Sequence, residues 1–190
     1  MGRHTFLAVP LPERIQQQIA AFSTQAKSVL PLKKWTGTRD YHITLSFLGD
    51  SSENQLNGLK AELEKKMLFH NPFHLVLNDI GVFGNPLTPS VFWLGVNPSE
   101  PLSSLQGDVE AACSTAGFRI ENRSYRPHIT IGKRWNGAAG QSVSLKELPT
   151  PDYLESLDWK VDEIILYEIH PQQQPMYVPW HRFRLDQEEH

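Results

Sequence analysis

Two segments of this chain share a pattern that constrains its fold more than any other feature. YHITLSFLGD covers residues 41–50 and RPHITIGKR covers residues 126–134, and both contain His-Ile-Thr followed by an apolar residue. Apolar and polar residues alternate in each segment, which is typical of a strand with one face in the core. The two histidines, His42 and His128, are 86 residues apart. The sequence therefore predicts two equivalent strands, each with an imidazole and a hydroxyl on one face.

The segments before the two motifs repeat at the same spacing. Residues 5–12 and 90–98 each predict a strand that ends in proline. Each strand is followed by apolar residues at helical spacing, over 15–29 in the first case and over 102–116 in the second. The pattern therefore indicates an internal duplication of a strand, a helix and a motif strand.

The two repeats differ after the motif strand. The first adds a predicted helix over 53–68, which begins with Ser52 and Gln55 at the spacing of a capping box. The second has a predicted loop over 135–151, rich in glycine and small polar residues. Closing strands are then predicted at 73–83 and 159–168, so that the repeat units cover approximately 5–83 and 90–168.

A duplicated unit of this kind predicts an α+β fold with two lobes related by a pseudo-twofold axis. Each lobe is expected to hold an antiparallel sheet with flanking helices, and the two motif strands are expected to face one active-site cleft between the lobes. Two copies are too few for a solenoid. Residues 1–190 are therefore expected to form a single bilobal domain.

The composition limits the possible functions. A net charge of −3 argues against a protein that coats long nucleic acid through its overall field. No apolar run reaches the roughly 20 residues needed to span a bilayer, so no membrane association is expected. Cys113 is the only cysteine, which excludes an internal disulfide and a Cys-rich zinc site. We expect a cytoplasmic protein.

Two imidazoles beside two hydroxyls suit the cleavage of a phosphodiester. The reaction needs a base to activate the attacking oxygen and an acid to protonate the leaving one, and an imidazole with a pKa of about 6.5 can serve in either role. The hydroxyls of Thr44 and Thr130 can donate to the non-bridging phosphate oxygens. His42 and His128 are the candidate catalytic pair, but the symmetry of the pattern does not assign acid and base. Neither a metal nor a cofactor is expected.

A zinc site is the competing interpretation of two histidines on two strands. Neither motif has a carboxylate or thiolate at ligand spacing. His70 and His74 are four residues apart, but Pro72 between them disrupts a helical pair. A serine esterase is also disfavoured, because no Gly-x-Ser-x-Gly turn occurs in the sequence.

Positive and aromatic residues near the motifs are candidates for substrate contacts. A cation close to either histidine could bind phosphate, and an aromatic ring could stack on a base. Packing in the core is an equally good interpretation of the rings. The candidates are Lys133, Arg134, Arg126, Trp35, Tyr41 and Tyr125.

The sequence resembles the two-histidine phosphoesterase superfamily, which is named for its paired His-x-Thr-x motifs. Within that superfamily it is most similar to the RNA 2′,3′-cyclic phosphodiesterases, also called 2′-5′ RNA ligases, over nearly the whole chain. FLAVPLP resembles the opening strand of the family and HITLSFLG its first motif. GVFGNPLTPSVFWLGV is similar to the central segment, RPHITIGKR to the second motif, and ILYEIHPQQQPMYVPWHRFRL to the closing strands.

The resemblance implies a bilobal antiparallel α+β fold and metal-independent opening of a ribose 2′,3′-cyclic phosphate to a 2′-phosphomonoester. Reversible 2′-5′ RNA ligation is implied as an accompanying reaction. The family roles make His42 the proton donor and His128 the proton acceptor. Two positions depart from the family pattern: many relatives carry arginine where this chain has Lys133, followed here by Arg134, and LYEIH replaces Leu-Tyr-Glu-Ser in the closing strand.

Two other functions stay open at this point. One is the same chemistry on a small nucleotide, such as a cyclic phosphate of ADP-ribose. The other is a nucleotide-binding module without turnover, because a fold does not determine a function. The expected partners are RNA ends or small nucleotides that bear a 2′,3′-cyclic phosphate, and no obligate protein partner is inferred.

Overall fold

Nine strands and three helices make up most of the described chain. The computed structural model describes residues 2–148 and 150–185, so residue 1 and residues 186–190 of the predicted 1–190 domain lie outside it. The helices are α1 (Glu13–Ala26), α2 (Glu53–Met67) and α3 (Glu100–Thr115). The strands are β1 (Arg3–Pro10), β2 (Leu32–Trp35), β3 (His42–Ser51), β4 (Phe73–Asn85), β5 (Thr88–Val96), β6 (His128–Trp135), β7 (Asp158–Val161), β8 (Glu163–Ile169) and β9 (Tyr177–Arg184).

The strands form an antiparallel sheet whose order is symmetric about its centre. The order is β7-β4-β5-β6-β3-β1-β8-β9, with β2 paired to β6. The motif strands β3 and β6 lie together in the middle, β1 and β5 flank them, and β8 and β4 come next. The predicted α+β class with antiparallel sheets is confirmed, and the two half-sheets join through the motif strands.

Each half of the sheet takes one strand from the other repeat. β4 closes the first repeat, but it pairs with β5 of the second, with Val82 opposite Phe92. β8 belongs to the second repeat, but it pairs with β1 of the first, with Tyr167 opposite Phe6. The two sequence repeats are therefore interleaved in space.

The predicted strand over 159–168 is wrong in one respect, because the chain forms two strands there. Asp162 lies between β7 and β8 and separates them. β7 pairs with β4 near one end of the sheet, whereas β8 pairs with β1 in the other half. Apolar residues continue on both sides of Asp162, so hydrophobicity alone does not show where the first strand ends and the second begins.

The helices form where the sequence predicts them, for local reasons. α1 presents Ile15, Ile19 and Phe22 to the core, and all three are fully buried. α2 begins with the predicted capping box, in which the Ser52 hydroxyl accepts from the Gln55 N–H and the Gln55 side chain accepts from the Ser52 N–H. These bonds satisfy two backbone donors that the first turn leaves unpaired.

The helices pack against one face of the sheet and leave part of the other face available to the motif polar groups. The core joins residues of all three helices to Leu7 and Val9 of β1 and to both motif strands. The predicted loop over 135–151, apart from residue 149, contains one short 3-10 turn at Leu145–Glu147. Among the described residues, no helix combines the length and the apolar character that a bilayer crossing requires.

Candidate active site

The two motif strands are direct neighbours, and their central residues pair with each other. Ile43 lies opposite Ile129, and both side chains are 0% exposed. Alternation along each strand then places the flanking polar residues on the other face of the sheet. These residues are His42, Thr44, His128 and Thr130, all half-buried. The prediction that Ile43, Leu45, Ile129 and Ile131 are buried is confirmed.

Two hydrogen bonds fix the ring of His42. Its Nδ1 lies 2.7 Å from the backbone carbonyl oxygen of Asp40, and because a carbonyl only accepts, Nδ1 is the protonated nitrogen. Its Nε2 lies 3.1 Å from the hydroxyl oxygen of Thr44. The neutral ring therefore presents Nε2 as a basic nitrogen beside a hydroxyl.

His128 is held by the same backbone arrangement. Its Nδ1 donates to the carbonyl oxygen of Arg126 at 2.7 Å. Arg126 precedes His128 by two residues, as Asp40 precedes His42. The duplication is therefore repeated in hydrogen bonds as well as in sequence, and both rings have the same tautomer.

Aromatic rings from neighbouring strands surround each imidazole. Phe6 and Tyr177 lie against His42, with centroids at 4.8 Å and 5.1 Å. Phe83 meets His128 edge-on at 4.9 Å, and Trp93 lies at 6.2 Å from it. These rings exclude water from the imidazoles, which disfavours the charged form of each.

Burial lowers the pKa of both histidines. The pKa of His42 falls from 6.5 to about 4; burial is the main cause, and the carbonyl and carboxylate of Asp40 act in the opposite direction. The charges of His128 and Lys133 lower the His42 pKa further. The pKa of His128 is also lowered, by burial and by the charge of Arg123, against the effect of its bond to the Arg126 carbonyl. Both imidazoles are therefore neutral at pH 7 in the empty site.

A β-bulge in β6 changes which residues face the histidines. Thr130 lies opposite Trp93 and Gly132 lies opposite Phe92, so Ile131 is an extra residue relative to β5. Simple alternation from Thr130 would have put Gly132 on the histidine face. The bulge instead places Gly132 on the face of Phe92, which is buried in the core.

Lys133 therefore lies on the same face as Thr130. Its charge contributes to the lowered pKa of His42, which agrees with this placement. Arg134 comes next in β6, is exposed and has a φ of +67°. Of the two predicted phosphate-binding cations, Lys133 is the one that the register directs towards the histidines.

β3 contains the same bulge, but the next residue on the histidine face is aromatic in β3 and positively charged in β6. The register of β1 on β3 shifts so that Leu45 is the extra residue, 86 positions before Ile131. The position equivalent to Lys133 is then Phe47, which is 49% exposed. The pseudo-symmetric site thus carries a cation on one side and an apolar ring on the other.

A cavity of about 430 Å³ opens beside His128 and Thr44. Phe47 and Phe83 contribute apolar surface to it, and Tyr125 lines it while donating its hydroxyl to the Thr44 carbonyl at 3.0 Å. Its charged lining comes from Glu110, Glu121, Arg123 and Arg126. Rings and polar groups next to the reacting atoms are suited to a nucleoside.

A second cavity of about 710 Å³ lies on the His42 side. It is lined by Tyr167 and Tyr177, whose rings also approach His42. Its charged lining combines Arg39, Lys160 and Arg182 with Glu13, Asp162 and Glu163. Of the two cavities, only the smaller one is lined by an imidazole, that of His128, whereas the larger one reaches the His42 site through the two tyrosines.

Two of the three predicted stacking residues lie elsewhere. Tyr41 is only 3% exposed and packs in the core, so the expectation that it stacks on a base is wrong. Trp35 pairs with Gly132, which the bulge turns towards the core, and its indole N–H donates to the Leu32 carbonyl at 3.1 Å. Trp35 is half-buried and packs against the core, which agrees with the alternative interpretation, whereas Tyr125 does line a cavity.

Several residues around the histidines were missed by the sequence analysis. The spacing of 86 residues matches Phe6 with Phe92, but the strand registers match Leu7 with Phe92 and place Trp93, opposite Thr130, beside His128. Tyr177 and Asp40 gave no signal, because they meet only through the fold.

The residues that the structure describes contain no cluster of side chains that could bind a metal ion. Within 2–148 and 150–185, no three His, Cys, Asp or Glu side chains are grouped to hold an ion. His70 contacts Asp108 at 2.8 Å, and His74 contacts Asp158 at 3.3 Å. The two histidines thus bond to different carboxylates.

Comparison with known proteins identifies the family. The profile of the 2′-5′ RNA ligase superfamily matches residues 11–173. The RNA 2′,3′-cyclic phosphodiesterase of Bacillus subtilis is 31% identical over 96% of each chain. That of Geobacillus stearothermophilus is 38% identical over 92% of this chain, which spans only 54% of that relative. The crystal structure of E. coli LigT complexed with 3′-AMP covers 98% of this chain and 100% of its own, with a TM-score of 0.78 and 26% identity. The chain belongs to the 2′-5′ RNA ligase superfamily of two-histidine phosphoesterases.

Proposed function

We propose that this protein hydrolyses 2′,3′-cyclic phosphate ends of RNA to 2′-phosphomonoesters with a pair of histidines. The activity is that of its relatives, which are RNA 2′,3′-cyclic phosphodiesterases at up to 38% identity. The pairing of β3 with β6 supports the mechanism, because it brings two imidazoles and two hydroxyls to one face of adjacent strands. Each Nδ1 is bonded to a carbonyl, which leaves each Nε2 as the reactive nitrogen.

The proposed reaction moves one proton on each side of phosphorus. His128 Nε2 accepts a proton from a water molecule as the water oxygen attacks phosphorus. The bond from phosphorus to the 3′ oxygen breaks, and the protonated His42 donates its Nε2 proton to that oxygen. The product keeps the phosphate on the 2′ oxygen, and proton exchange with solvent restores both imidazoles.

The other polar groups of the site stabilise the charge of the transition state. Thr44 and Thr130 donate to the non-bridging oxygens, and Lys133 adds a positive charge. The low pKa of His42 in the empty site means that bound substrate must favour its protonation. A phosphate anion beside the ring does so, since a nearby negative charge raises an imidazole pKa.

The two cavities favour an RNA end over a free small nucleotide. The space of about 430 Å³ beside His128 suits one nucleoside. The space of about 710 Å³ on the His42 side leaves room for more of a chain. A small cyclic nucleotide, including a cyclic phosphate of ADP-ribose, would fill only part of the combined surface.

Phosphorus NMR of the product tests the proposal. We expect an oligonucleotide with a 2′,3′-cyclic phosphate end to yield a 2′-phosphomonoester, in buffer that contains a chelator. A 3′-phosphomonoester would contradict the proposed bond cleavage, and binding without turnover would indicate a nucleotide-binding module. Faster turnover of a cyclic phosphate of ADP-ribose than of the oligonucleotide would favour the small-nucleotide alternative.

The proposal includes a cytoplasmic location, no cofactor and no obligate protein partner. A single, buried Cys113 is in keeping with a reducing compartment. The same attack on phosphorus by a 5′-hydroxyl in place of water would break the bond to the 3′ oxygen and join two RNA ends through a 2′-5′ bond. Incubation of a cyclic-phosphate oligonucleotide with a 5′-hydroxyl oligonucleotide measures that reaction directly.

A further inference from the structure

Asp40 connects the first histidine to a distant part of the chain. Its backbone carbonyl accepts from His42 Nδ1 at 2.7 Å. Its carboxylate, with the residue only 7% exposed, accepts from the N–H of Met176 at 3.0 Å and from the N–H of Tyr177 at 3.2 Å. One residue therefore holds both the imidazole and the start of β9, which lies 137 positions later.

The segment that Asp40 anchors forms a wall of the His42 site. The ring of Tyr177 stands nearly perpendicular to His42, at 88° and 5.1 Å between centroids. A ring at this distance has to be fixed in position if the imidazole is to keep its orientation. The two backbone bonds to the Asp40 carboxylate provide that fixation.

The second repeat has no carboxylate at the position equivalent to Asp40. Arg126 occupies the position 86 residues after Asp40, and its carbonyl holds His128 in the same way. Its side chain is an exposed cation that lines the cavity beside His128. The backbone of the two repeats is thus equivalent at this point, but the side chains carry opposite charges.

We propose that Asp40 is a positioning residue that makes His42 the proton donor of the pair, by orienting its ring, anchoring Tyr177 and placing a negative charge on its side of the site. This assignment rests on the proposed function. It gives a structural cause for a difference in role between two histidines that the sequence symmetry treats alike.

The charged and titratable groups around His42 act with and against Asp40. The Asp40 carboxylate favours the protonated ring, whereas His128 and Lys133 oppose it. Tyr167 and Tyr177 face the ring as neutral groups, because burial raises their pKa. Among the charges that act on the pKa of His42, the Asp40 carboxylate is therefore the one that favours the protonated ring.

Two substitutions separate the charge of Asp40 from its anchoring role. Asp40→Asn keeps an oxygen that can accept the backbone bonds and removes the charge, while Asp40→Ala removes both. We expect Asp40→Asn to lower kcat on a 2′,3′-cyclic nucleotide by about tenfold or more with little change in KM. On a diester with a p-nitrophenolate leaving group, which needs little protonation, the loss should be much smaller. Asp40→Ala should also raise KM.

The matched control is Asp108→Asn, since Asp108 also ties two elements together, through His70 at 2.8 Å and Lys66 at 3.2 Å. It should leave both activities unchanged. An equal loss on the two substrates for Asp40→Asn, or no loss at all, would overturn the proposal.

An NMR titration of the histidines in the presence of inorganic phosphate gives a readout that does not require turnover. Asp40→Asn should move the midpoint of His42, assigned by comparison with His42→Ala, to lower pH and leave that of His128 in place. Unchanged midpoints would refute the role of the charge. If the wild type does not open cyclic phosphates, the proposed function fails, and this titration still decides the role of Asp40.

Discussion

His42 and His128 are held by equivalent backbone bonds but have unequal neighbours. Both donate from Nδ1 to a carbonyl at 2.7 Å. The Asp40 carboxylate and the Lys133 charge act in opposite directions on His42, whereas only the positive charge of Arg123 acts on His128. Equivalent geometry with unequal charge is what an acid-base pair needs, because one ring must give a proton while the other takes one.

Replacement of either histidine by alanine should lower kcat by at least about a hundredfold, the scale of a positioned acid or base. The double variant should lose much less than the product of the two single losses, since the pair acts as a unit. Steady-state kinetics on a 2′,3′-cyclic nucleotide measures both effects. Full activity in either single variant would rule out the two-histidine mechanism.

An activated leaving group separates the two roles. On a p-nitrophenyl diester His42→Ala should recover much of its lost rate, because p-nitrophenolate leaves without a proton. His128→Ala should not recover, since water still needs a base. Rescue of His128→Ala instead would mean that the family-derived roles are reversed in this protein.

Alternation along the motif strands was sufficient to predict which residues are buried. Ile43 and Ile129 lie under the site as expected, and Tyr41, an odd-numbered neighbour of Ile43, obeys the same rule and lies in the core. A stacking role was expected for Tyr41 because it is adjacent to His42 in the sequence, but alternation along the strand places it on the opposite face. Asp40 and Tyr177 were beyond prediction, because their contact joins residues 136 or more positions apart.

The bulges in β3 and β6 determine which side chains beyond the motifs can take part. A bulge depends on the register with the neighbouring strand, which the sequence of one strand does not specify. The motif residues lie before each bulge, so their placement was predictable from the sequence. Lys133 and Phe47 lie after the bulges, and only the register of the sheet shows that they share the histidine face.

Lys133→Ala should therefore lower kcat/KM more than Arg134→Ala does, by about tenfold, because only Lys133 lies after the bulge on the side of Thr130. Lys65→Ala, at an exposed position in α2, controls for a general loss of positive charge. Kinetics at two ionic strengths should show that the Lys133 effect decreases as the salt concentration rises, because Lys133 is an exposed charge. Equal losses for Lys133→Ala and Arg134→Ala would contradict the register argument.

The whole active site responds to pH through the lowered pKa of its two histidines. Because one ring must be protonated and the other neutral, kcat/KM should be bell-shaped, with its maximum on the acidic side of 6.5. The kcat profile should lie at higher pH, since the phosphate anion raises the pKa of the donor in the complex. The two limbs report the coupled pair and not single residues. Coincident kcat and kcat/KM profiles would contradict this account.

The same pKa values link stability to pH. Between the unfolded pKa of about 6.5 and the folded pKa of His42 of about 4, the unfolded chain binds more protons than the folded one. The free energy of unfolding should therefore fall as the pH drops through this range. Urea titrations at several pH values should show a weaker dependence in His42→Ala, and an equal dependence would mean that other groups control acid unfolding.

The exchange of closing strands makes each histidine dependent on the other repeat. Phe83 of β4 lies in the first repeat and contacts His128 of the second at 4.9 Å. Tyr167 of β8 lies in the second repeat and approaches His42 of the first, with centroids at 6.4 Å. Two duplicated domains that fold side by side can diverge separately after duplication. In this interleaved arrangement a substitution in the closing strand of one repeat changes the surroundings of the histidine in the other, so we expect the two repeats to change together in evolution.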